Sequence, residues 1–463
     1  MLKPRIKDLR KETGKEIELA GWVDARRDHG KLIFIDLRDA TGKIQAVLLP
    51  TNKQAYELGQ TIRPEWVVQV KGQLNKRPEK MINSEIVGGD VELEVKELRV
   101  LAEAETLPFA IDSDGKEINE EIRLAFRYLD LRRQRLALNI KQRHLIYKFL
   151  RDYLAGQEFI EIETPILSKS TPEGARDYLV PSRLDQGKFY ALPQSPQQYK
   201  QLLMVAGVER YFQFARCLRD EDTRGDRQPE FTQLDIEASF IEREDILTLL
   251  EEMINQMVTT LYPDKKIKSK PWPRLTYDEA LTKYKTDRPD LRSDKQDPNE
   301  LAFCWIIDFP LFESDLEDGH YAPSHHMFTM PKTEDLPKLK TDPDQVKSYQ
   351  YDIALNGFEI GGGSIRIHKP DIQSQIFDLI GFNDKDKANF KHMLKAFTFG
   401  VPPHGGIALG LDRLMAILQN EPNIREVIAF PKTGEGRDLM MDSPSSVSDN
   451  QLKELGLEIR DIK

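Results

Sequence analysis

Short runs in which apolar and polar residues alternate dominate residues 1–105. They stand at 16–28, 31–49, 65–74 and 90–101, and the turn sequence ATGK divides the second of them. A period of two is typical of half-buried strands, and several short strands joined by Gly-containing turns predict a small closed barrel. The segment KQAYELGQ at 53–60 is predicted to be a short helix. We therefore expect residues 1–105 to form a strand-built domain.

The pattern changes after this region. Residues 106–135 begin with a mixture of Pro, Gly and acidic residues and are predicted to be a linker or hinge. Apolar residues then recur at helical spacing until Gly156, which is predicted to end a long helix. Strands and helices mix irregularly over 136–463, which favours an antiparallel sheet flanked by helices. The fold class expected for the whole chain is therefore α+β with several domains.

Composition places the chain among soluble globular proteins. Of its 463 residues, 39% are hydrophobic and 31% are charged. No apolar run approaches the ~20 residues that span a bilayer, and MLKPRIKDLR lacks the apolar core of a signal peptide, so we expect a cytoplasmic protein without membrane contact. Cys217 and Cys304 have no metal-ligand spacing, so neither a disulfide framework nor a zinc site is expected.

The charge is distributed unevenly along the chain. The formal net charge is −10, yet residues 1–80 carry 17 Lys and Arg against 11 Asp and Glu. Either this unevenness arose by chance, or the chain consists of a basic N-terminal barrel and a more acidic remainder. Small barrels often bind oligonucleotides through basic side chains and stacking aromatics. Arg26, Arg27, Lys31 and Phe34 suit that role, although a lone Phe is more often a core residue.

One charged segment stands between two strand-like runs. Residues 216–237 read RCLRDEDTRGDRQPEFTQLDIE, with a Gly and a Pro among the charges at the centre. The alternating flanks predict a hairpin whose strands also carry inward-pointing polar residues. Further segments place polar residues where a strand pattern favours apolar ones: 170–178, 194–204, 358–368 and 404–418. Together they predict one large polar site.

The residue types in these segments are chemically consistent with a phosphate site. Arg219 and Arg413 can grip phosphate oxygens, because a guanidinium fork matches them and stays charged. Glu359 and Asp235 are oxygen donors suited to Mg²⁺. The triple glycine at 361–363 allows close backbone approach, and Arg366 can bind a small anion. For each residue alone, a surface salt bridge is the simpler interpretation. No GxxxxGK[ST] or GxGxxG loop occurs, which excludes the two commonest nucleotide-binding architectures.

These segments resemble the signature motifs of class II aminoacyl-tRNA synthetases. EFIEIETPIL (158–167) is similar to the first motif, with its proline at Pro165; the hairpin is similar to the second; and GIALGLDRLMAIL (406–418) is similar to the third, with its arginine at Arg413. The strings STPEGARDYLVPSR, QSPQQYKQLLM, HHMFT and AFPKTGEGRD resemble the bacterial aspartyl-tRNA synthetases specifically. The resemblance covers nearly the whole chain and implies an N-terminal OB-fold barrel that binds the anticodon.

The resemblance implies an enzyme that uses ATP and Mg²⁺ to join L-aspartate to tRNA(Asp). Arg219 would hold the α-phosphate and the substrate carboxylate, and Glu359 with Asp235 would hold Mg²⁺. The implied aspartate-binding residues also include Glu173, Gln197, Lys200, His325 and Arg366. The implied ATP-binding residues are Arg219, Glu221, Gln228, Glu359, Gly410, Leu411, Asp412 and Arg413. The implied anticodon-binding residues are Arg26, His29, Phe34 and Gln45.

The sequence alone is also compatible with several related functions. Asparaginyl- and lysyl-tRNA synthetases share the barrel and the motifs, an ammonia-dependent asparagine synthetase resembles only the catalytic half, and an inactive RNA-binding relative would keep the fold. Lys200 and Arg366 favour a carboxylate substrate. By resemblance, His29 followed by Gly30 is typical of enzymes that also charge tRNA(Asn). A homodimer built around Pro165 is also implied.

The chain departs from the bacterial pattern in one place. Those enzymes usually carry an additional domain near the position of residues 287–312. In this chain, the segments on either side of that position are joined almost directly. We expect this inserted domain to be absent, without loss of any motif residue.

Overall fold

The structure is a computed structural model that describes residues 4–84, 86–170, 175–313, 316 and 319–460. The chain forms two compact units, 1–110 and 111–463. The boundary between them falls inside the segment predicted as a linker. In the part of the chain described, no helix is both long and apolar enough to cross a membrane.

The first unit is a closed five-stranded barrel, as the alternating pattern predicted. The barrel is closed in the order β1-β2-β3-β5-β4, with β4 paired back to β1. Inward-facing Val, Ile and Leu side chains such as Ile35 and Val70 are fully buried and form its core. The predicted helix at 53–60 is confirmed as α1. The elements are β1 (Glu16–His29), β2 (Leu32–Asp39), β3 (Gly42–Leu48), α1 (Lys53–Gly59), β4 (Val67–Lys76) and β5 (Val91–Ala102), with 3-10 turns at Ile6–Glu12 and Glu79–Met81.

The second unit is built on an eight-stranded sheet. The strands lie in the order β12-β14-β15-β16-β17-β10-β9-β6, antiparallel except for the outermost pair at each end. The strands of this unit are β6 (Ile160–Glu161), β7 (Leu179–Pro181), β8 (Phe189–Ala191), β9 (Arg210–Leu218), β10 (Glu230–Ser239), β11 (Lys266–Ile267), β12 (Arg274–Thr276), β13 (Glu300–Leu301), β14 (Phe303–Ile307), β15 (Gln350–Leu355), β16 (Phe358–Ile365) and β17 (His404–Gly410). The largely antiparallel α+β architecture predicted for this region is confirmed.

Helices cover this sheet and connect its strands. The long predicted helix is confirmed as α4, which ends at Gly156. The α-helices are α2 (Glu120–Ala125), α3 (Arg127–Asp130), α4 (Gln134–Gly156), α5 (Gln197–Val205), α6 (Arg243–Leu261), α7 (Tyr277–Tyr284), α8 (Pro370–Leu379), α9 (Asp384–Ala388), α10 (Lys391–Phe397), α11 (Leu411–Leu418) and α12 (Asp449–Leu455). Short 3-10 turns stand at Thr333–Lys340, Pro343–Gln345 and Ile424–Val427.

The two faces of the large sheet differ in chemistry. On one face, Leu234 and Ile236 of β10 pack with apolar residues of α4, α6 and α11 in the main core. Because successive strand side chains point to opposite faces, Asp235 and Glu237 lie on the other face. The same alternation in β15 sends Ile353 to the core and Asp352 to the opposite face. The sheet therefore presents a polar face away from its core.

Candidate active site

A cluster of four buried charges lies on the polar face of the sheet. Lys200 of α5 donates a hydrogen bond to Asp235 at 2.7 Å, and its Nζ lies 3.3 Å from a carboxylate oxygen of Glu237. Arg366, just after β16, grips Glu237 with Nε and Nη2 at 2.9 and 3.1 Å. All four side chains are at most 3% exposed. Two cations are thus fixed by two carboxylates inside the protein.

Hydrogen bonds fix the guanidinium of Arg366 almost completely. Besides Glu237, its Nη1 bonds to Ser364 at 2.7 Å and to Nε2 of His326 at 2.6 Å. A guanidinium has five N–H donors, so one N–H of Nη2 has no acceptor among the described residues. Lys200 has three donors and two carboxylate partners among the same residues, so one of its donors also has no partner there. The cluster can therefore offer two donors to a further anion.

The protonation states of the cluster follow from its contacts. Burial favours a neutral Glu237, but Arg366 and Lys200 outweigh that effect and lower its pKa to about 2. Burial and the charge of Arg366 lower the pKa of His326 well below its usual value. His326 is therefore neutral and accepts the hydrogen bond from Arg366.

A second pair of carboxylates lies on β15 and β16. Repulsion from the charge of Asp352, followed by burial, raises the pKa of Glu359. Asp352 accepts hydrogen bonds from Gln350 at 2.8 Å and contacts Nε2 of His325 at 3.2 Å. Burial lowers the pKa of His325, but the carboxylate of Asp352 outweighs this effect and raises it overall. Two carboxylates that repel each other suit a divalent cation placed between them.

The two residues of the predicted magnesium pair, Glu359 and Asp235, do not lie side by side in the structure. Asp235 pairs with Ala408 of β17, which in turn pairs with Gly362 of β16. Asp235 therefore lies two strands from β16, roughly 10 Å away, and its carboxylate is held by Lys200. Glu359 is accompanied by Asp352 instead. Among the described residues, no group of three or more His, Cys, Asp or Glu side chains is arranged to hold a metal ion.

The two motif arginines come from the β9–β10 hairpin and from α11. The guanidinium of Arg219 lies 5.2 Å from the ring centre of Phe231 and contacts the carbonyl of Gln194 at 3.4 Å. Arg413 in the first turn of α11 bonds to the carbonyl of Glu359 and to Asp226 of the hairpin loop. Its side chain is 24% exposed. Both arginines are held by weak or backbone contacts and remain accessible to phosphate.

Other residues implied in ATP binding have structural partners. The amide of Gln228 exchanges two hydrogen bonds with the backbone of Lys432, at 2.8 and 3.2 Å, and thereby ties the hairpin loop to the segment after α11. Asp412 bonds to Arg143 and accepts from the amide of Thr232 at 3.0 Å. Leu411 is fully buried in the core.

The remaining two residues of the ATP set lie at the edges of the site. Glu221 forms a 3.4 Å ion pair with Arg227 inside the hairpin loop. Gly410 is the N-cap residue of α11, and an added Cβ there would meet only the carbonyl of Ile360 at 3.6 Å. A small side chain at this position would therefore meet no close contact among the described residues.

Glycines of β16 make the site possible by leaving room for neighbours. A Cβ on Gly363 would lie 2.1 Å from the carbonyl of Gly406 on β17. A Cβ on Gly362 would lie 2.5 Å from Oδ1 of Asp352. These glycines allow close strand packing and clear the space around Asp352.

The residues implied in binding the amino group lie partly outside the described chain. Glu173 falls within 171–174, which the structure does not describe. Gln197 stands in the first turn of α5, is 6% exposed, and donates a 3.1 Å hydrogen bond to Gln201. Lys200 follows one turn later on the same helix, so Gln197 and the charge cluster share one side of it.

The barrel presents its own set of side chains. Phe34 and Gln45 lie on the outer face of β2 and β3, where Gln45 pairs with Asp36. His29 is exposed and meets Phe34 edge to face, with ring centres 5.7 Å apart. Arg26 instead pairs with inward-facing Ile35 and bonds to the carbonyl of Ile62. Arg27 lies opposite Phe34.

Sequence reasoning missed several residues of the site: Asp352, Glu237, His326, Gln201 and His404. Asp352 and Glu237 had a detectable signal, because each is an acidic residue between apolar neighbours in a strand. The partners of Gln201 and His404 depend on which strand lies beside α5, and the sequence pattern does not carry that information.

Comparison with known protein families matches residues 119–434 to "tRNA synthetases class II (D, K and N)" and residues 17–101 to "OB-fold nucleic acid binding domain". Among solved structures, the asparaginyl-tRNA synthetase of Pyrococcus horikoshii with asparaginyl-adenylate superposes with a TM-score of 0.75 at 23% identity, covering 94% of this chain and 98% of that one. The aspartyl-tRNA synthetase of Entamoeba histolytica gives 0.72 at 23% identity, covering 93% and 91%. These likenesses establish the fold.

Curated relatives are closer in sequence. An aspartate–tRNA(Asp/Asn) ligase from Rubrobacter xylanophilus is 42% identical, over 96% of this chain and 95% of its own length. An aspartate–tRNA ligase from Staphylococcus saprophyticus is 39% identical, over 96% and 97%. The first alignment runs over 570 positions, more than this chain of 463 residues can fill, so the relative contains segments without a counterpart here. The chain belongs to the class II tRNA synthetases of the D, K and N group, and within them to the aspartate–tRNA ligases.

Proposed function

We propose that this ligase activates L-aspartate with ATP and transfers it to both tRNA(Asp) and tRNA(Asn). In the first step, the α-carboxylate of aspartate attacks the α-phosphorus of ATP and pyrophosphate leaves. In the second step, the terminal ribose hydroxyl of tRNA attacks the carbonyl carbon of the adenylate and AMP leaves. Every bond forms between substrates, so the protein contributes positioning and charge stabilisation.

The observation that carries the proposal is the pair of unused donors on Lys200 and Arg366. One N–H on each cation suits the two oxygens of the aspartate side chain. Both cations are already held in place by Glu237, so binding requires little ordering of the site. Since these residues are buried, the substrate carboxylate would exchange water for two charge-assisted hydrogen bonds.

The same donors would reject asparagine. Its side-chain amide carries a donor group in place of one carboxylate oxygen, which would leave a buried cation donor unpaired. An unpaired charged group costs roughly 1.5–3 kcal/mol or more. The expected preference for aspartate is therefore at least about tenfold from this contact alone.

Asp352 and Glu359 are suited to the magnesium that the family resemblance implies. Asp352 and Glu359 would hold the ion, which would supply positive charge to the phosphates of ATP. The raised pKa of Glu359 supports this assignment, because a carboxylate crowded by another carries unbalanced negative charge.

Arg219 and Arg413 would contact the phosphates from two sides. Arg219 directly follows β9, and Arg413 lies at the start of α11, so their guanidinium groups approach from different elements. Gln197, with Glu173, would receive the substrate ammonium group. Fixed cations aimed at the reacting phosphates stabilise charge without reorganising during the reaction.

Charging of tRNA(Asn) rests on the barrel. His29 lies edge-on against Phe34, the residue proposed to stack on an anticodon base, so its ring would stand beside the neighbouring base. Relatives from Rubrobacter xylanophilus and Anoxybacillus flavithermus are named aspartate–tRNA(Asp/Asn) ligases. Aspartyl-tRNA(Asn) would then need a separate amidating enzyme.

The test is charging of purified tRNA(Asp) and tRNA(Asn) by the natural protein and by His29→Leu. We expect the kcat/KM values of the natural protein for the two tRNAs to differ by no more than about tenfold, a difference in free energy that a single contact can supply. His29→Leu should lower charging of tRNA(Asn) and leave tRNA(Asp) largely unaffected. Efficiencies that differ by several orders of magnitude in the natural protein, unchanged by His29→Leu, would refute dual charging.

We also propose a homodimer built around the first motif. Ile160, Ile166 and Leu167 beside Pro165 are 45–55% exposed, as expected of an apolar interface surface. Multi-angle light scattering should give twice the chain mass of 53.5 kDa. A single-chain mass at micromolar concentration would contradict the dimer.

A further inference from the structure

Three buried polar side chains connect the edge of the charge cluster to β17. His404, the first residue of β17, and Gln201 of α5 are fully buried, and Gln197 is 6% exposed. Nε2 of His404 lies 3.1 Å from the amide nitrogen of Gln201, and the amide oxygen of Gln201 lies 3.1 Å from the amide nitrogen of Gln197. The three side chains thus form a continuous relay.

The direction of this relay is set at its buried end. Nδ1 of His404 lies 2.9 Å from the carbonyl oxygen of Pro402. A carbonyl can only accept, so Nδ1 must carry a proton. Burial lowers the pKa of His404 to about 4, so the ring is neutral and Nε2 has no proton. Nε2 is therefore an acceptor.

Each amide then has one permitted orientation. Gln201 must donate its Nε2–H to His404. The Oε1 atom of Gln201 then faces the first turn of α5. This oxygen must receive the Nε2–H of Gln197. Oε1 of Gln197 consequently points away from the relay, and within the described residues it accepts no hydrogen bond. An unused carbonyl oxygen in this place suits a cationic ligand.

The surroundings of His404 preserve this arrangement. Glu237 favours a proton on the ring, whereas Arg366 and His368 disfavour it. The ring of Phe397 covers it edge to face, with centres 6.2 Å apart. Burial is the largest of these influences, so the ring stays neutral.

We infer that His404 and Gln201 are positioning residues that fix the amide of Gln197 with its oxygen towards the substrate ammonium group. This inference rests on the proposed activation of aspartate. If the relay is broken, the amide of Gln197 can turn over and present its N–H₂ group to the ammonium. An acceptor would then be replaced by a donor, and a hydrogen bond to a charged group would be lost.

The experiment measures aspartate-dependent ATP–pyrophosphate exchange for His404→Phe, which keeps a ring but removes the acceptor. We expect the KM for aspartate to rise about tenfold or more, with the KM for ATP within about twofold. Inhibition by succinate, which is aspartate without its ammonium group, should not change. His404→Gln, which can again accept from Gln201, should recover most of the lost affinity.

Gln201→Met provides a second variant in case His404→Phe does not fold. It removes both relay hydrogen bonds at similar volume and should raise the KM for aspartate alone. When either variant is combined with Gln197→Met, the two effects should not add, because both act on one contact. An unchanged KM for aspartate, equal changes for ATP and succinate, or additive effects would overturn the inference.

A separate readout distinguishes this inference from the proposed function. In protein carrying ¹⁵N-labelled histidine, with the His404 signal assigned through His404→Gln, the nitrogen shifts should identify the Nδ1–H tautomer. The Nε2–H tautomer would overturn the relay even in an active enzyme. Absence of aspartate-dependent exchange in the natural protein would instead refute the proposed function.

Discussion

At the scale of single residues, Glu237 holds both cations of the buried charge cluster. Its carboxylate holds Arg366 through two hydrogen bonds and also lies against Lys200. A buried ion cluster of this kind seldom adds stability, because removing ions from water costs about as much as pairing returns. Its benefit here is a fixed geometry for two cations.

Asp352 and Asp235 offer a matched pair of substitutions. If Asp352 and Glu359 hold Mg²⁺, Asp352→Asn should raise the Mg²⁺ concentration needed for half-maximal pyrophosphate exchange at least roughly tenfold. Asp235→Asn leaves that pair intact, so it should affect the KM for aspartate through Lys200 and leave the Mg²⁺ requirement unchanged. A titration of Mg²⁺ with both variants measures this difference.

The reverse outcome would restore the pairing expected from sequence. If Asp235→Asn raised the Mg²⁺ requirement and Asp352→Asn did not, the assignment of Asp352 would be wrong. The sequence favoured Asp235 because it is an oxygen donor within the segment that resembles the second signature motif. Asp352 lies in the strand QYDIAL, and its proximity to Glu359 depends on the pairing of β15 with β16.

At the scale of elements, strand periodicity predicted the hairpin of β9 and β10 correctly. Leu234 and Ile236 face the core while Asp235 and Glu237 face the site, so each residue's side of the sheet could be predicted from alternation alone. The neighbours of β10 could not be predicted, since β17 follows it by more than 160 residues. Contacts such as Gln201 with His404 depend on that long-range pairing.

The segment predicted as a hinge contains short helices fastened by buried charges. Asp130 at the end of α3 is fully buried and accepts from Arg123, Arg127 and Arg133 at 2.9–3.0 Å. Arg123 also reaches Glu426, which follows α11, at 2.7 Å. Residues 123–133 are therefore anchored to the catalytic unit, and a composition rich in Arg and Asp did not reveal this.

The buried side chains of His404 on β17 and Glu237 on β10 predict that the free energy of unfolding falls in acid. His404 has a folded-state pKa of about 4 and an ordinary value of 6.5. The unfolded chain therefore binds the proton first, and stability present above pH 6.5 is lost as the pH falls towards 4. Glu237, lowered from 4.5 to about 2, loses its contribution as the pH falls from 4.5 to 2.

Urea denaturation at a series of pH values should show this slope. We expect the unfolding free energy of the natural protein to fall between pH 6.5 and 4, with roughly 3 kcal/mol attributable to His404. In His404→Gln the slope over that interval should be shallower, because the titrating group is gone. Identical slopes would show that His404 is not buried and neutral.

At the scale of the whole molecule, the barrel and the large sheet carry different parts of the proposed function. Each unit could be predicted in outline from sequence, because strand alternation and the motifs are local signals. The expected loss of an inserted domain agrees with an alignment longer than this chain. In the structure, residues 285–299 join α7 to β13 without a helix or strand of their own. The catalytic sheet is complete without further chain at this point.

ATP–pyrophosphate exchange with L-aspartate and L-asparagine, for the natural protein and for Arg366→Leu, tests whether Lys200 and Arg366 each offer one donor to the substrate's side-chain carboxylate. If they do, we expect exchange with aspartate, at least about tenfold less kcat/KM with asparagine, and loss of aspartate exchange in Arg366→Leu while ATP still binds. Equal exchange with both amino acids, or near-normal aspartate exchange in Arg366→Leu, would contradict this role of the two cations.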